Sequence, residues 1–330
     1  MVMKRGFLLF FLLLTTVVRG EILKVRIDGV IDPVTSEFMT TAIREAEKRK
    51  VEFLLIELST PGGLGVSMRE IVQGILNSEV PVVCYVHPKG ARAASAGFFI
   101  LLSSDVAVMA PGTNTGTAHP VLPFSSEEKN RTMMEKVTND ALANLRSIVK
   151  QRKRNYDLAE KAVLESKGYT AEEALEGNLI DLVAENQDQL LEILEGEEIT
   201  RFGGEKYKIV TQGQKLTLLE MTLRQEILST IANPNMAIIL GVVGLLGLYL
   251  EFSNPGLVVP GVVGGIFFLL SLLGFSLLPI SRIGVLLILL ALGLAIAEVK
   301  IQGFGLFGIG GSVAMFLGLL FLRKEFWSRQ

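Results

Sequence analysis

The sequence has one cysteine, one tryptophan and two histidines in 330 residues. A lone cysteine, Cys84 in the apolar run VPVVCYV, cannot close an intramolecular disulfide and reads as a buried, inert thiol. His87 and His119 are too few for a histidine-based metal site. No Cys, His, Asp and Glu spacing suits a cation, and no phosphate-binding loop precedes a helix. No metal or cofactor is therefore expected. An excess of charge of one sign is also missing: 32 Lys and Arg face 34 Asp and Glu, which leaves no footprint for nucleic acid. The third shortage is local. Between Met236 and Leu322 the charged residues are only Glu251, Arg282, Glu298 and Lys300.

What fills that stretch is hydrocarbon. A hydrophobic fraction of 49% and a mean hydropathy of +0.45 are too high for a wholly soluble chain, and the excess sits at 236–322. Four spans are expected, near 236–252, 256–278, 283–299 and 304–322, arranged as two helical hairpins. A shift of 47 residues lays Glu251 on Glu298, Gly256 on Gly303, Gly261 on Gly308 and Gly264 on Gly311. Each unit is an apolar helix ending in Glu, a glycine-rich break and a second apolar helix, and such glycines permit close helix contact. Both glutamates are expected as solvated helix ends. A short basic tail follows at 323–330.

At the other end, Lys4 and Arg5 precede an apolar run of signal-peptide length, Phe7 to Val18. Residues 1–20 are read as a signal peptide, or alternatively as a retained anchor. Either sends the following domain to the extracytoplasmic side of the cell membrane. Four spans then leave the basic tail on that same side, against the positive-inside tendency, and an odd number would place it in the cytoplasm.

Residues 21–200 alternate strand and helix. ILKVRID is a strand. Asp32-Pro33 supplies an N-cap and an N1 proline, and Val34, Phe38, Ala42 and Ala46 make a helical stripe. VEFLLIEL is the near-continuous apolar run of a strand buried on both faces. The loop STPGG, the helix VSMREIVQGILNS and the strand VPVVCYV follow; a long helix near 126–151 and TAEEALEGNLIDLV come later. The expected fold class is α/β with a mainly parallel sheet, followed by an all-α membrane domain. Residues 201–235 read as a small hairpin and a juxtamembrane helix. On that helix Leu219, Leu223, Ile227 and Ile231 share one face, which suits a helix lying on the membrane or an ordinary packed helix.

Sites in open parallel sheets form beyond the strand carboxyl ends, where STPGG and GARAASAG both lie. Ser95 opens a helix, so its own amide and that of Ala96 are expected as free first-turn donors for a developing oxyanion. Gly62 and Gly63 offer amides with no side chain in the way. A serine cap beside an ordinary glycine turn accounts for the same residues.

The order TPGG, GARAASAGFFI, MAPGTNTGTAHP and TAEEALEGNLID resembles the Clp-protease/crotonase-like fold, and within it the NfeD-type membrane serine proteases related to signal peptide peptidase A. The resemblance implies a serine endopeptidase with Ser95 as nucleophile, Lys136 in MMEKVTND as base, and the Gly63 and Ala96 amides as oxyanion hole. It implies hydrophobic stretches of membrane-associated proteins as substrates, stomatin-type partners among them, and a homo-oligomer. A lysine acts as a base once burial favours its neutral form, and Met133, Met134 and Val137 are expected to supply that burial. Asp140, four residues on, is expected to face Lys136 and oppose this. His119, 24 residues after Ser95, is the rival base by analogy with soluble Clp proteases, or else lines the cleft. Longer members of the family carry a soluble β-barrel domain beyond the membrane region, and this sequence stops at Gln330, so binding through such a domain is not expected. The alternatives from other classes are a non-catalytic membrane scaffold and a crotonase-like acyl-thioester enzyme.

Overall fold

The computed structural model describes residues 20–120, 127–201, 203–254, 256, 258–277, 282–300 and 305–321. The leader and the basic tail, apart from Gly20, lie outside them. β1 (Glu21–Asp28), β2 (Phe53–Ser59) and β3 (Val82–Val86) alternate with α1 (Pro33–Arg49) and α2 (Gly65–Asn77). Asp32 caps α1 through its carboxylate, which accepts the Thr35 amide at 2.7 Å, with Pro33 in the first turn. β4 (Arg92–Ala94), α3 (Ala96–Ser103), β5 (Val106–Met109) and β6 (Asn114–Gly116) follow, then α4 (Glu127–Gln151) and α5 (Tyr156–Leu164). β7 (Gly168–Thr170), α6 (Ala171–Glu176), β8 (Leu182–Val183) and α7 (Gln187–Leu194) come next, α6 opening with a capping box between Thr170 and Glu173.

Downstream, β9 (Glu198–Thr200) and β10 (Lys206–Lys208) pair antiparallel as the expected hairpin. The chain then returns to the main sheet as β11 (Lys215–Leu218), beside β1. That sheet runs β11-β1-β2-β3-β5-β8 and is parallel throughout. The parallel α/β expectation therefore stands, and the sheet extends past residue 200 into the stretch read as juxtamembrane.

The two faces of the sheet separate by period two. Leu54, Ile56, Cys84 and Ala107 point into a core with α1, α2, α3 and α4, while Phe53, Leu55, Val83 and Val106 pack under α7 and the hairpin. Cys84 is fully buried, and burial pushes its thiol pKa up, which makes it inert. Towards the strand carboxyl ends the second face turns polar around Glu57. Burial works to raise this carboxyl, but bonds from Lys24 and Arg26 outweigh it and hold it below the usual range.

One buried ionic knot ties the layers. Asp105 accepts the Val82 amide at 2.8 Å and the guanidinium of Arg152, just after α4, at 2.7 Å, and Arg201 after β9 lies 3.5 Å away. The Asp105 and Arg152 side chains are 0% and 3% exposed, so removing one leaves the other charge uncompensated. Asp105→Ala is expected to destabilise the domain by about 3–5 kcal/mol. In a thermal melt of the full chain in detergent, that amounts to a drop of roughly 10 °C.

After α8 (Leu223–Ala232), four apolar helices close the chain: α9 (Pro234–Ser253), α10 (Val258–Leu277), α11 (Arg282–Lys300) and α12 (Leu306–Phe321). By length and composition α9 and α10 can cross a membrane, while α11 and α12 carry shorter apolar segments, Ile283–Leu294 and Leu306–Gly318. α9 packs along α10 and α11 along α12, with little contact between the pairs. Gly244, Gly247 and Gly264 let the α9 and α10 backbones touch: a Cβ on Gly264 would lie 2.6 Å from the Leu248 nitrogen.

The glutamates repeated in sequence are not repeated in bonding, and neither is a plain solvated end. Glu298 of α11 reaches over and accepts the Gly305 and Gly308 amides at 2.8 and 3.0 Å, capping α12. The first amides of a helix have no acceptor within it, and here one from the partner helix serves. Glu251 of α9 packs on Gly261, where a Cβ would come within 2.7 Å of its Cγ, and its Oε2 has no hydrogen-bond partner among the described residues.

Candidate active site

Ser95 stands at a sharp strand-to-helix turn, between β4 and α3. Its backbone is at φ 54°, ψ −114°, a conformation that costs a residue with a Cβ about 1–3 kcal/mol. The surroundings hold it there. The Ser95 amide donates to the Gly116 carbonyl at 3.0 Å, and β6, which carries Gly116, pairs with β4 on one side and β7 on the other. The sequence reading left the Ser95 amide free for an oxyanion; the small β4-β6-β7 sheet takes it instead.

The STPGG loop is bound to the same turn. Thr60 donates its amide to the Arg92 carbonyl and accepts the Ala94 amide on its own carbonyl, at 2.7 and 3.1 Å. Its hydroxyl accepts the Gly62 amide at 3.0 Å. Gly62, at φ +116°, lies so close that an added Cβ would sit 2.6 Å from the Ser95 Cβ. Gly63 faces the Ile31 backbone, where a Cβ would meet the Ile31 carbonyl oxygen at 2.1 Å. Only glycine fits either position. The Gly63 and Ala96 amides have no hydrogen-bond partner among the described residues.

Both of those residues and Ser95 line one cleft of about 200 Å³. α3, buried over its whole length, directs its amino end there, which favours negative charge. Phe99 and Met68 make the walls apolar, and Val137 and Ala141 of α4 close the far side. A hydroxyl, two open amides and an apolar trough can hold a peptide carbonyl and stabilise its tetrahedral adduct.

Lys136, the residue expected as base, lies differently from that expectation. Lys136 is exposed on α4 and is not among the residues lining the cleft, although Val137 next to it is. Met133 is 55% exposed and gives no burial. The reason lies in the packing of α4: its buried face begins at Ala141 and Leu142 and continues through Leu145, Ile148 and Val149, so the earlier turns project past the core. Asp140 does not engage Lys136. It pairs across the cleft rim with Arg69 of α2, a partner that no local spacing could have indicated.

His119 is occupied elsewhere. Its Nδ1 lies 2.8 Å from the Val163 carbonyl at the end of α5, and its neighbours Ala118 and Pro120 line the cleft in its place. His87 stacks on Tyr85 with centroids 4.8 Å apart, and its Nδ1 lies 3.5 Å from Glu57. Among the described residues, no group of three or more His, Cys, Asp or Glu could hold a metal ion.

Comparison with known proteins finds relatives of both parts of the chain. The NfeD integral membrane domain matches residues 235–330, and the N-terminal domain of NfeD1b matches residues 21–196. The membrane-bound protease PH1510 of Pyrococcus horikoshii is 34% identical over 339 aligned positions, which take in 97% of this chain and 75% of that protein. The membrane protein NfeD1b of Bacillus subtilis is 28% identical over 302, covering 84% of this chain and 62% of that protein. Among solved structures is the 1510-N membrane-bound stomatin-specific protease, as a lysine-to-alanine mutant in complex with a substrate peptide. It aligns at 31% identity with a TM-score of 0.59, covering 65% of this chain and 98% of that one. A serine-to-alanine mutant of the same protease aligns at 31% identity and TM-score 0.57, covering 62% and 99%. With an α/β domain of that protease's fold, a strained serine beside two open amides and a following NfeD membrane domain, this chain belongs to the family of NfeD-type membrane proteases.

Proposed function

We propose that the protein is a serine endopeptidase in which Ser95 attacks, Lys136 takes and returns the proton, and the Gly63 and Ala96 amides hold the oxyanion. The observation that carries the reading is Ser95 itself, kept at a positive φ with two unpartnered amides on the same cleft. The serine and lysine replaced in the two 1510-N structures stand as far apart in that chain as Ser95 and Lys136 do in this one, which supports the pairing. Lys136 is exposed in the free chain, so its desolvation is assigned to the substrate: a peptide laid in the trough covers the rim of α4 and excludes water. The Arg69–Asp140 pair leaves Lys136 without the carboxylate that would hold it charged.

The trough is apolar, which suits hydrophobic stretches of membrane-associated proteins. The relative's name supports a stomatin-type protein among them. Topology follows the leader: the protease domain is extracytoplasmic and the chain crosses the membrane several times. A reporter fused near residue 200 is expected to be active only in its exported form, and activity in the cytoplasm would reverse that topology. Assembly as a homo-oligomer belongs to the same reading.

A non-catalytic scaffold is the second reading, favoured by the exposure of Lys136 away from the cleft. A fluorophosphonate probe separates the two. Labelling of the full chain in detergent that disappears in Ser95→Ala supports the peptidase, and an unlabelled wild-type chain supports the scaffold.

A further inference from the structure

α8 carries an apolar stripe that is only partly used. Its last member, Ile231, is buried, with its carbonyl against α10 so closely that a Cβ on Gly274 would lie 2.4 Å away. One turn back Ile227 is 50% exposed, and two turns back Leu223 is 72% exposed. Steps of four residues turn by about 40°, so the three side chains lie within roughly 80° of one another. The exposed pair thus continues the face that Ile231 lays on the membrane hairpin.

The rest of α8 is fixed. Thr222 and Gln225 form a capping box, Gln225 is buried, and Arg224 pairs with Glu37 of α1 at 2.6 Å. No linker separates α8 from the membrane helices: Asn233 ends α8 and caps α9, its side chain accepting the Asn235 and Met236 amides. At 1.5 Å per residue, Ile227 lies only about 10 Å along the chain before the start of α9, within reach of the headgroup layer. We infer that α8 is a membrane-surface foot, which seats Leu223 and Ile227 in the interfacial lipid around the α9–α10 hairpin.

The occupant is lipid because the stripe is continuous with a face already resting on a membrane hairpin. One consequence rests on the peptidase reading. α8 packs on α1, and α1 packs on α2, which supplies Met68 and Arg69 to the cleft. Two helix spacings of 8–10 Å put that wall within about 20 Å of the foot. The substrate class that follows is a segment close to the bilayer, not one far out on a soluble domain.

Ile227→Trp in a Trp327→Phe background tests the foot with the full chain in phosphatidylcholine vesicles. The expected result is blue-shifted emission that falls at least twofold when the acyl chains are brominated near the headgroup, at every protein-to-lipid ratio. Unquenched emission of a water-exposed indole overturns the inference. So does a blue shift that vanishes on dilution into more lipid, which would mark a second copy as the occupant. Leu223→Asp with Ile227→Asp is the second variant. Amide exchange in α8 is expected to quicken at least tenfold in vesicles while the four apolar helices stay protected, and unchanged α8 exchange counts against the foot. The same variant is expected to cleave a short soluble peptide normally and a membrane-tethered one poorly. A wild-type chain that cleaves neither peptide defeats the peptidase reading and leaves the fluorescence and exchange results to decide the foot.

Discussion

Ser95→Ala is expected to abolish peptide cleavage, a loss on the order of 10⁴–10⁶ in kcat, and to leave the fold and membrane insertion intact. The alanine keeps the Cβ that Gly62 makes room for, and it keeps the amide bonded to Gly116, so nothing around the turn must move. What is lost is a cleft hydroxyl beside the Gly63 and Ala96 amides, the one that lines the cleft among the described residues. Ser95→Gly is the informative companion. It also removes the nucleophile, but it relieves the positive φ, so the protein melts higher than Ser95→Ala by about 1 kcal/mol of stability. Initial rates on one peptide and melting curves for the three proteins check both statements. Cleavage above background by Ser95→Ala would place the nucleophile elsewhere, and equal melting of the two variants would mean that the turn stores no strain.

The second large effect is at Lys136. Lys136→Ala is expected to lose roughly 10²–10⁴ in rate, the usual share of a general base. Lys136→Arg is nearly as damaging, because a guanidinium stays protonated and cannot take the serine proton. His119→Ala loses much less, since that ring is turned to the Val163 carbonyl. Asp140→Asn leaves Arg69 unpaired at the rim but takes nothing from Lys136, so its rate against pH follows the wild type. The four variants assayed on one peptide decide the matter. An inactive His119→Ala with an active Lys136→Ala would make the site a serine–histidine one.

Where the sequence was legible, burial wrote it. β2 and β3 lie buried on both faces and show as apolar runs, broken in β2 by Glu57; α1 shows because an aspartate cap, a proline and a stripe of period 3.6 coincide; the membrane helices show because charge is nearly absent. The β4-β6-β7 sheet left no such trace. Its strands, RAA, NTG and GYT, are three residues long, so backbone bonds define them and no side-chain period exists to read. β11 was hidden for another reason: KLTL at a sheet edge is too short and too mixed to stand out from the polar stretch before it. The site shows the same division. The residue types around Ser95 were readable from the small-residue loops, whereas the strain at Ser95, the Gly116 bond and the choice of Arg69 by Asp140 depend on partners far away in the chain. The exposure of Lys136 was not legible: methionines beside it suggest burial, but among the described residues the fully buried side chains of α4 begin at Ala141.

The pairing of the membrane helices bears on biogenesis. α9 and α10 meet through their own glycines, and α11 supplies from Glu298 the acceptor that the start of α12 needs. Each pair thus provides for itself much of what a helix needs on leaving water, and little contact joins the pairs. A chain built this way suits insertion two helices at a time, with each hairpin partitioning into lipid as a unit before the pairs assemble. Glu298 is then the residue on which the start of α12 depends: without its borrowed cap, α12 would enter the bilayer with bare first-turn amides.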